Sequence, residues 1–283
     1  MATRHRYIAD LRHALSSMDE LAQRLSGRLP AVFLDYDGTL TPIVDRPEDA
    51  TISDSMRDTV RRLAERCPVC VVSGRDRSVV QRLMGVNDLI VAGSHGFDIW
   101  SPAGGAIGRV EGTEFEGVLQ QVQARLSQEL ASIEGALVEP KRGSVAAHYR
   151  LVSPEQRPRV EEIVQAVLAE HPGELKITPG KLVYEIQPNV EWDKGKAVLY
   201  LLKVLDLDRE DVVPIYLGDD LTDEDVFRAL AGRGVGVLVG RVDDPEIAGR
   251  STAADYVLHT VGEVRQFLGT LTGWIVPGRG VVA

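Results

Sequence analysis

From Ala31 onward the chain repeats one local unit, a short apolar run followed by a turn and a helix with a single apolar stripe. No other feature limits the fold as strongly. Val32–Leu34 reads as a strand, and Ser53 caps a helix carrying Met56, Val60 and Leu63. Val69–Val72 is a second strand, Asp76 caps a helix with Val79, Val80 and Leu83, and Leu89–Ala92 is a third strand. Continuous apolar runs in βαβα order imply a parallel sheet covered by helices on both faces. Between Gly104 and Pro188 the pattern changes. A long helix (Phe115, Val118, Leu119, Val122, Leu126, Leu130, Ile133) leads into two short strands, Ala136–Glu139 and Ser144–Arg150. A second helix (Val160, Ile163, Val164, Val167, Leu168) leads into two more, Glu174–Thr178 and Leu182–Gln187. An αββ unit used twice reads as a small α+β insert with an antiparallel sheet. The first pattern then resumes with a helix over Lys194–Leu205, a strand over Val213–Leu217 and a helix over Thr222–Leu230. Val235–Val239 and Tyr256–Leu258 are further strand candidates.

The predicted fold is therefore α/β, a parallel-sheet core domain interrupted by an α+β cap (αββαββ). The core takes residues 29–103 and 189–283, and the cap residues 104–188. Ahead of them, Ile8, Leu11, Leu15, Met18, Leu21 and Leu25 recur at helical spacing before Gly27. Residues 1–28 are accordingly expected to hold an amphipathic helix packed on the core.

Composition narrows the partners. The 32 basic and 42 acidic residues leave a formal charge of −10. That balance argues against nucleic acid or an anionic membrane surface as partner. No segment approaches the roughly 18 continuous apolar residues of a membrane span, and Met1–Arg6 lacks the apolar core of a signal peptide. No obligate protein partner is expected. The only cysteines are Cys67 and Cys70. With no second pair to complete a zinc site, and Cys70 inside an apolar run, both read as buried thiols of a reducing, cytoplasmic compartment.

Chemistry enters at Asp35-Tyr36-Asp37-Gly38-Thr39-Leu40, where the first strand ends. Side chains two apart on an extended backbone point the same way, so Asp35 and Asp37 can face one small site. Two such carboxylates repel unless a cation or proton separates them, and a hard ion such as Mg²⁺ suits oxygen ligands. Gly218-Asp219-Asp220-Leu221-Thr222-Asp223 is a second acidic cluster at the end of a buried strand. If the two strands are neighbours, Asp219 or Asp220 completes a magnesium site with Asp35. Thr222 can cap the next helix, and Asp223 suits its first turn. Ligands of open parallel sheets bind at the carboxyl ends of the strands, where Ser73 also lies.

Phosphate monoester hydrolysis needs a nucleophile, an acid for the leaving oxygen, and positive charge around the phosphate. Asp35 can attack phosphorus, and Asp37 can protonate the leaving oxygen and then deprotonate water. Mg²⁺ would bridge Asp35, the backbone carbonyl of Asp37 and Asp219. Ser73 offers a hydroxyl to the phosphate and Lys194 an ammonium.

This set, a DxDGT motif, a strand-end Ser, a Lys and a GDDxxTD-like cluster, resembles the haloacid dehalogenase-type phosphatases over Ala31 to Asp225. The resemblance implies a Rossmann-like core. It is closer still to the trehalose-6-phosphate phosphatase family. The carriers are Asp35-Tyr36-Asp37-Gly38-Thr39-Leu40-Thr41-Pro42-Ile43, Gly93-Ser94-His95-Gly96 and Gly218-Asp219-Asp220-Leu221-Thr222-Asp223-Glu224, with Ser144–Arg150 and Gly180–Glu185 in the cap. What it implies is hydrolysis of trehalose 6-phosphate to trehalose and phosphate. Catalysis is expected from Asp35 and Asp37, and phosphate binding from Gly38, Thr39, Ser73, Gly74 and Lys194. Substrate contacts are expected from Arg75, His95, Lys141, His148, Arg150, Lys181 and Glu185. Mg²⁺ is expected at Asp35, Asp37, Asp219 and Asp220, with Asp219 favoured over Asp220 as direct ligand. Competing readings keep the chemistry with another substrate, such as sucrose 6-phosphate, transfer the phosphoryl group as a phosphomutase does, or bind a sugar phosphate without turnover.

Overall fold

Six of the apolar runs align in parallel, joined at one edge by the short polar strand Arg12–His13. In the computed structural model a nine-stranded sheet runs in the order Arg12–His13, Tyr256–Leu258, Val235–Val239, Val212–Gly218, Leu29–Leu34, Val69–Val72, Ile90–Gly93, Asp98–Ser101 and Gly105–Arg109. The first seven are parallel neighbours, and Asp98–Ser101 turns antiparallel against Ile90–Gly93. The structure describes the chain apart from residues 1–5, 103–104, 110–114, 142, 181, 242–243, 245–246, 248, 277–279 and 282–283, and only the backbone at 105–109, 179 and 280–281.

Because successive strand residues alternate in direction, the sheet feeds two cores. One holds Val32, Leu34, Val69, Val71, Ile215 and Leu217 under helices α1 (Met18–Leu25), α2 (Asp54–Ala64) and, further along the chain, the C-terminal helix Val261–Trp274. The other holds Ala31, Phe33, Cys70, Val72 and Tyr216 with residues of the helices Lys194–Val204 and Glu224–Leu230. Ser53 caps α2, its hydroxyl accepting from the Met56 amide at 3.2 Å. Asp76 stands at the N-cap of α3 (Arg77–Met84) but makes no side-chain cap bond there, and accepts instead from the Ser94 hydroxyl at 2.8 Å. Both cysteines are buried and unbridged, and burial pushes the Cys67 thiol up to about 12. Such a thiol is neither a ready nucleophile nor a ready metal ligand.

The single N-terminal helix expected over residues 8–25 does not form. Only Met18–Leu25 is α-helical, preceded by a 3₁₀ turn at Ile8–Asp10, the strand Arg12–His13 and a second 3₁₀ turn at Ala14–Ser17. The reason lies in the packing. Ile8 and Leu11 enter the core on one side of the sheet, while Ala14, Leu21 and Leu25 enter the core on the other. The segment crosses the sheet edge, and pairing of Arg12–His13 with Tyr256–Leu258 outweighs the helical spacing.

The chain divides into two compact units, residues 1–107 with 193–283, and residues 108–192. The second unit has the αββαββ order: α4 (Glu116–Leu130), strands Leu137–Pro140 and Val145–His148, α5 (Arg157–Ala169), then strands Leu175–Gly180 and Val183–Pro188. Its four strands are antiparallel neighbours. Val138, Val145, Ala147, Ile177 and Ile186 pack with Leu119, Val122, Leu126, Val160 and Val164 of α4 and α5. The alternate residues, including Glu139, Lys141, Ser144, His148, Thr178, Glu185 and Gln187, form the opposite, polar face. No helix among the described residues is long and apolar enough to cross a membrane.

Candidate active site

The strands Leu29–Leu34 and Val212–Gly218 lie side by side in parallel, so their carboxyl ends deliver both acidic clusters to one place. The Asp35 amide donates to the Leu217 carbonyl at 2.9 Å, which fixes the level of one chain against the other. Gly38 then turns with φ +74°, and a Cβ there would lie 2.0 Å from Asp219 Oδ2. Only glycine permits that conformation together with so close a carboxylate.

Lys194 begins α6 (Lys194–Val204), capped by Asp193, whose carboxylate accepts from the Lys196 amide at 2.8 Å. Its ammonium, almost fully buried, donates to Asp35 Oδ1 at 3.0 Å and to Asp223 Oδ1 at 2.7 Å. Two of its three N–H groups are thereby occupied. Asp223 accepts further bonds from the Tyr216 hydroxyl at 2.5 Å and from the amides of Asp219 and Asp220 at 2.8 and 2.9 Å. Both of its oxygens are committed, so Asp223 organises the loop. Asp220 turns outward to cap the 3₁₀ turn Leu221–Asp223, accepting from the Leu221 amide at 2.7 Å. Asp219 stays buried, and Asp35, Asp219 and Asp223 bring carboxylate oxygens within 4.8 Å of one another.

The electrostatics follow from this crowding. Burial first, and then the charges of Asp223, Asp219 and Asp37, raise the Asp35 carboxyl well above its ordinary range, against the opposing pull of Lys194. Burial also opposes ionisation of Asp223, but Lys194 and the hydrogen bonds it accepts hold it below the ordinary range. Burial disfavours the Lys194 ammonium, and the anions of Asp223 and Asp35 outweigh it and raise its pKa. Three buried carboxyl groups, those of Asp35, Asp219 and Asp223, cluster here, and two of them bond the Lys194 ammonium. An added cation with oxygen ligands fits that imbalance, because uncompensated buried charge is costly.

Asp37 points to a different partner. Arg75 donates to both of its oxygens, at 2.6 and 2.7 Å, and to the Pro47 carbonyl at 2.7 Å. The Arg75 amide donates to the Ser73 hydroxyl at 3.1 Å. The loop after Val69–Val72 is laced to the next strand end, since the His95 amide donates to the Ser73 carbonyl and the Ser94 amide to the Arg75 carbonyl. Ser94 and His95 both take positive φ, 48° and 55°, and a Cβ on Gly74 would touch the His95 ring at 2.7 Å. Thr39 is fully buried, and its hydroxyl has no hydrogen-bond partner among the described residues. Asp35, Asp37, Gly38, Thr39, Ser73, Gly74, Arg75, His95, Asp219 and Asp220 thus follow strand ends of the first unit, and Lys194 joins Asp35 from the first residue of α6.

The remaining candidates belong to the second unit. Lys141 donates to Glu185 Oε2 at 2.8 Å, and the Ser144 hydroxyl donates to Glu185 Oε1. His148 pairs with Glu139 through Nε2 and Oε2 at 2.8 Å. Arg150 lies in the turn beyond the strand Val145–His148, so the strand expected over Ser144–Arg150 ends before it. Lys181 lies outside the described residues. The importance of Asp223 and Tyr216 was missed from sequence. From sequence Asp223 reads as a first-turn residue behind a Thr222 cap, whereas the cap is Asp220, and one tyrosine in an apolar strand signals only that its hydroxyl needs a partner.

The fold is that of the haloacid dehalogenase-like hydrolases. A structure of such a hydrolase from Bacteroides thetaiotaomicron superposes with a TM-score of 0.60 at 17% identity, covering 86% of this chain and all of that one. The C-terminal domain of trehalose-6-phosphate phosphatase from C. albicans superposes with a TM-score of 0.77 at 23% identity, covering 94% and 100%. Trehalose 6-phosphate phosphatase RA3 of Zea mays is 42% identical over 270 residues, 90% of this chain and 73% of its own length. Residues 33–260 match the trehalose-phosphatase family model, and the chain belongs to that family.

Proposed function

We propose that this chain hydrolyses trehalose 6-phosphate to trehalose and phosphate, with Asp35 as nucleophile. The observation that carries the reading is the buried Asp35 carboxylate held between Lys194 and Asp219 at the ends of two parallel strands. Family membership supports the substrate.

In the first half-reaction an Asp35 oxygen bonds to phosphorus, and the bond from phosphorus to the sugar oxygen breaks. Asp37 gives that oxygen its proton. In the second, Asp37 takes a proton from water, the hydroxide oxygen bonds to phosphorus, and the aspartyl bond breaks to free phosphate and Asp35. Carrying a proton requires Asp37 to give up at least one of its two bonds to Arg75, so Arg75 sets the position of the acid. The Thr39 and Ser73 hydroxyls and the Lys194 ammonium are the groups assigned to the phosphate oxygens. Asp35, Asp219 and the backbone carbonyl of Asp37 would hold Mg²⁺, and the bond that Asp220 Oδ1 accepts from the Leu221 amide favours Asp219 over Asp220 as ligand. When bound, Mg²⁺ supplies positive charge between the nucleophile and the phosphate.

The polar face of the second unit, with Lys141, His148 and Glu185, is the surface we assign to sugar hydroxyls, together with Lys181 and Arg150. Glu185 enters that role as one half of an ion pair with Lys141. Two buried free thiols favour a cytoplasmic location.

Phosphate release from a panel of sugar phosphates in Mg²⁺ tests the reading. Preference for trehalose 6-phosphate over sucrose 6-phosphate and glucose 6-phosphate is expected. Equal rates across the panel would remove the substrate claim, and a product without free phosphate would indicate a mutase.

A further inference from the structure

Six histidines occur in the whole chain, and two of them meet one glutamate far from the acidic cluster in sequence. His13 ends the edge strand Arg12–His13, in register with Val257 of its neighbour. His259 directly follows that neighbour, Tyr256–Leu258, and Glu263 lies in the first turn of α8 (Val261–Trp274), whose cap is Thr260. His13 Nε2 stands 3.0 Å from Glu263 Oε2. The two imidazole rings meet edge to face, with centroids 4.8 Å apart. One ligand atom from each of the three residues falls within 4.8 Å of the others.

We propose that His13, His259 and Glu263 form a second metal site, for a borderline divalent cation of the Zn²⁺ class, that ties the N-terminal edge strand to α8. The donor set decides the class. Two imidazoles and a carboxylate suit Zn²⁺, whereas Mg²⁺ takes oxygen ligands. Bonds of about 2.0–2.1 Å in a tetrahedron place ligand atoms about 3.3 Å apart, close to the His13–Glu263 spacing of 3.0 Å. Glu263 is already oriented, because the same oxygen accepts from the His259 amide at 2.6 Å. The side chains of His13 and Glu263 are 24% and 29% exposed, so a cation can enter and water can complete the coordination. A simple His13–Glu263 pair accounts for two of these residues, and the His259 ring is held against the same pair by its edge-to-face contact with His13. The ligands lie 250 residues apart in sequence, so the ion would close almost the entire chain into one loop.

Zn²⁺ titration with Mg²⁺ in excess tests this on the intact chain, comparing wild type with His259→Gln and Glu263→Gln. Wild type is expected to bind one equivalent of Zn²⁺ more than either variant. The imidazole C–H resonances of His13 and His259 should move on saturation. At a tenfold excess over the dissociation constant the Tm of wild type should rise by about 2–3 °C, and that of His259→Gln should not. Since His259 contacts none of the groups assigned to phosphate hydrolysis, His259→Gln should keep full turnover in Mg²⁺. Equal zinc stoichiometry in all three proteins would overturn the site, as would unmoved His13 and His259 resonances.

Discussion

Each unit of this protein buries a lysine against carboxylates, and the two arrangements differ in balance. In the first unit Lys194 faces Asp35 and Asp223 while Asp219 stands close by, three carboxyl groups gathered around one ammonium. In the second, Lys141 faces Glu185, whose other oxygen takes the Ser144 hydroxyl. A matched pair can be at rest as it stands. An acid-rich cluster is complete only with another cation or a proton, and that incompleteness suits a site that must receive a metal and a phosphate. Charge imbalance, more than burial, separates the candidate chemistry from the candidate recognition surface.

Removing each lysine is the strongest way to break this contrast. Lys194→Met leaves two carboxylates buried without their ammonium, at a cost of about 3–5 kcal/mol or more, and should abolish turnover. Lys141→Met leaves Glu185 with its hydroxyl donor and Glu139 with its His148 bond, so about 1–3 kcal/mol is expected. Urea unfolding of the two variants gives the comparison directly. Equal losses would mean that the imbalance has no energetic weight. Next in size is Gly38→Ala, which forces a methyl group to within 2.0 Å of Asp219 Oδ2 at φ +74°. A loss of about 1–3 kcal/mol in stability and of about 10²-fold in kcat is expected, read by unfolding and by phosphate release. Tyr216→Phe is smaller, because Asp223 retains Lys194 and two amides. It should cost about 0.5–1.5 kcal/mol and leave the substrate preference unchanged.

The smallest effect belongs to the second unit. Burial works against the Glu139 carboxylate, but the His148 hydrogen bond and then the Lys141 charge outweigh it and hold its pKa below the ordinary range. A depressed native pKa contributes stability that is fully present above the unfolded value, about 4.3, and lost as pH falls through the native one. Between pH 5 and 3 wild type should therefore lose more stability than Glu139→Gln. An identical pH dependence of the two unfolding curves would contradict the pairing.

Much of the first site was legible because its residues sit where buried parallel strands end. There, the apolar run, the glycine turn and the acids share one short stretch, as at Asp35–Gly38 and Gly218–Asp219. Asp223 was not legible as a keystone, since only the folded loop reveals that both its oxygens are taken. The N-terminal segment misled for the opposite reason. Its apolar spacing fits a helix, yet Ile8 and Leu21 serve cores on opposite sides of the sheet. In the second unit strand alternation separates the polar face from the packed one, but it does not say that Glu185 pairs with Lys141, 44 residues away.

The central claim is that Asp35 becomes phosphorylated. Acid quench of a single turnover of trehalose 6-phosphate labelled in its phosphate, with Mg²⁺ present, tests it most directly, using wild type and the slowed variant Asp37→Asn. The account requires label on the peptide containing Asp35, rising and decaying in wild type, and none in Asp35→Asn. Phosphate release with no labelled protein at any time in either enzyme, or label on another residue, would contradict it.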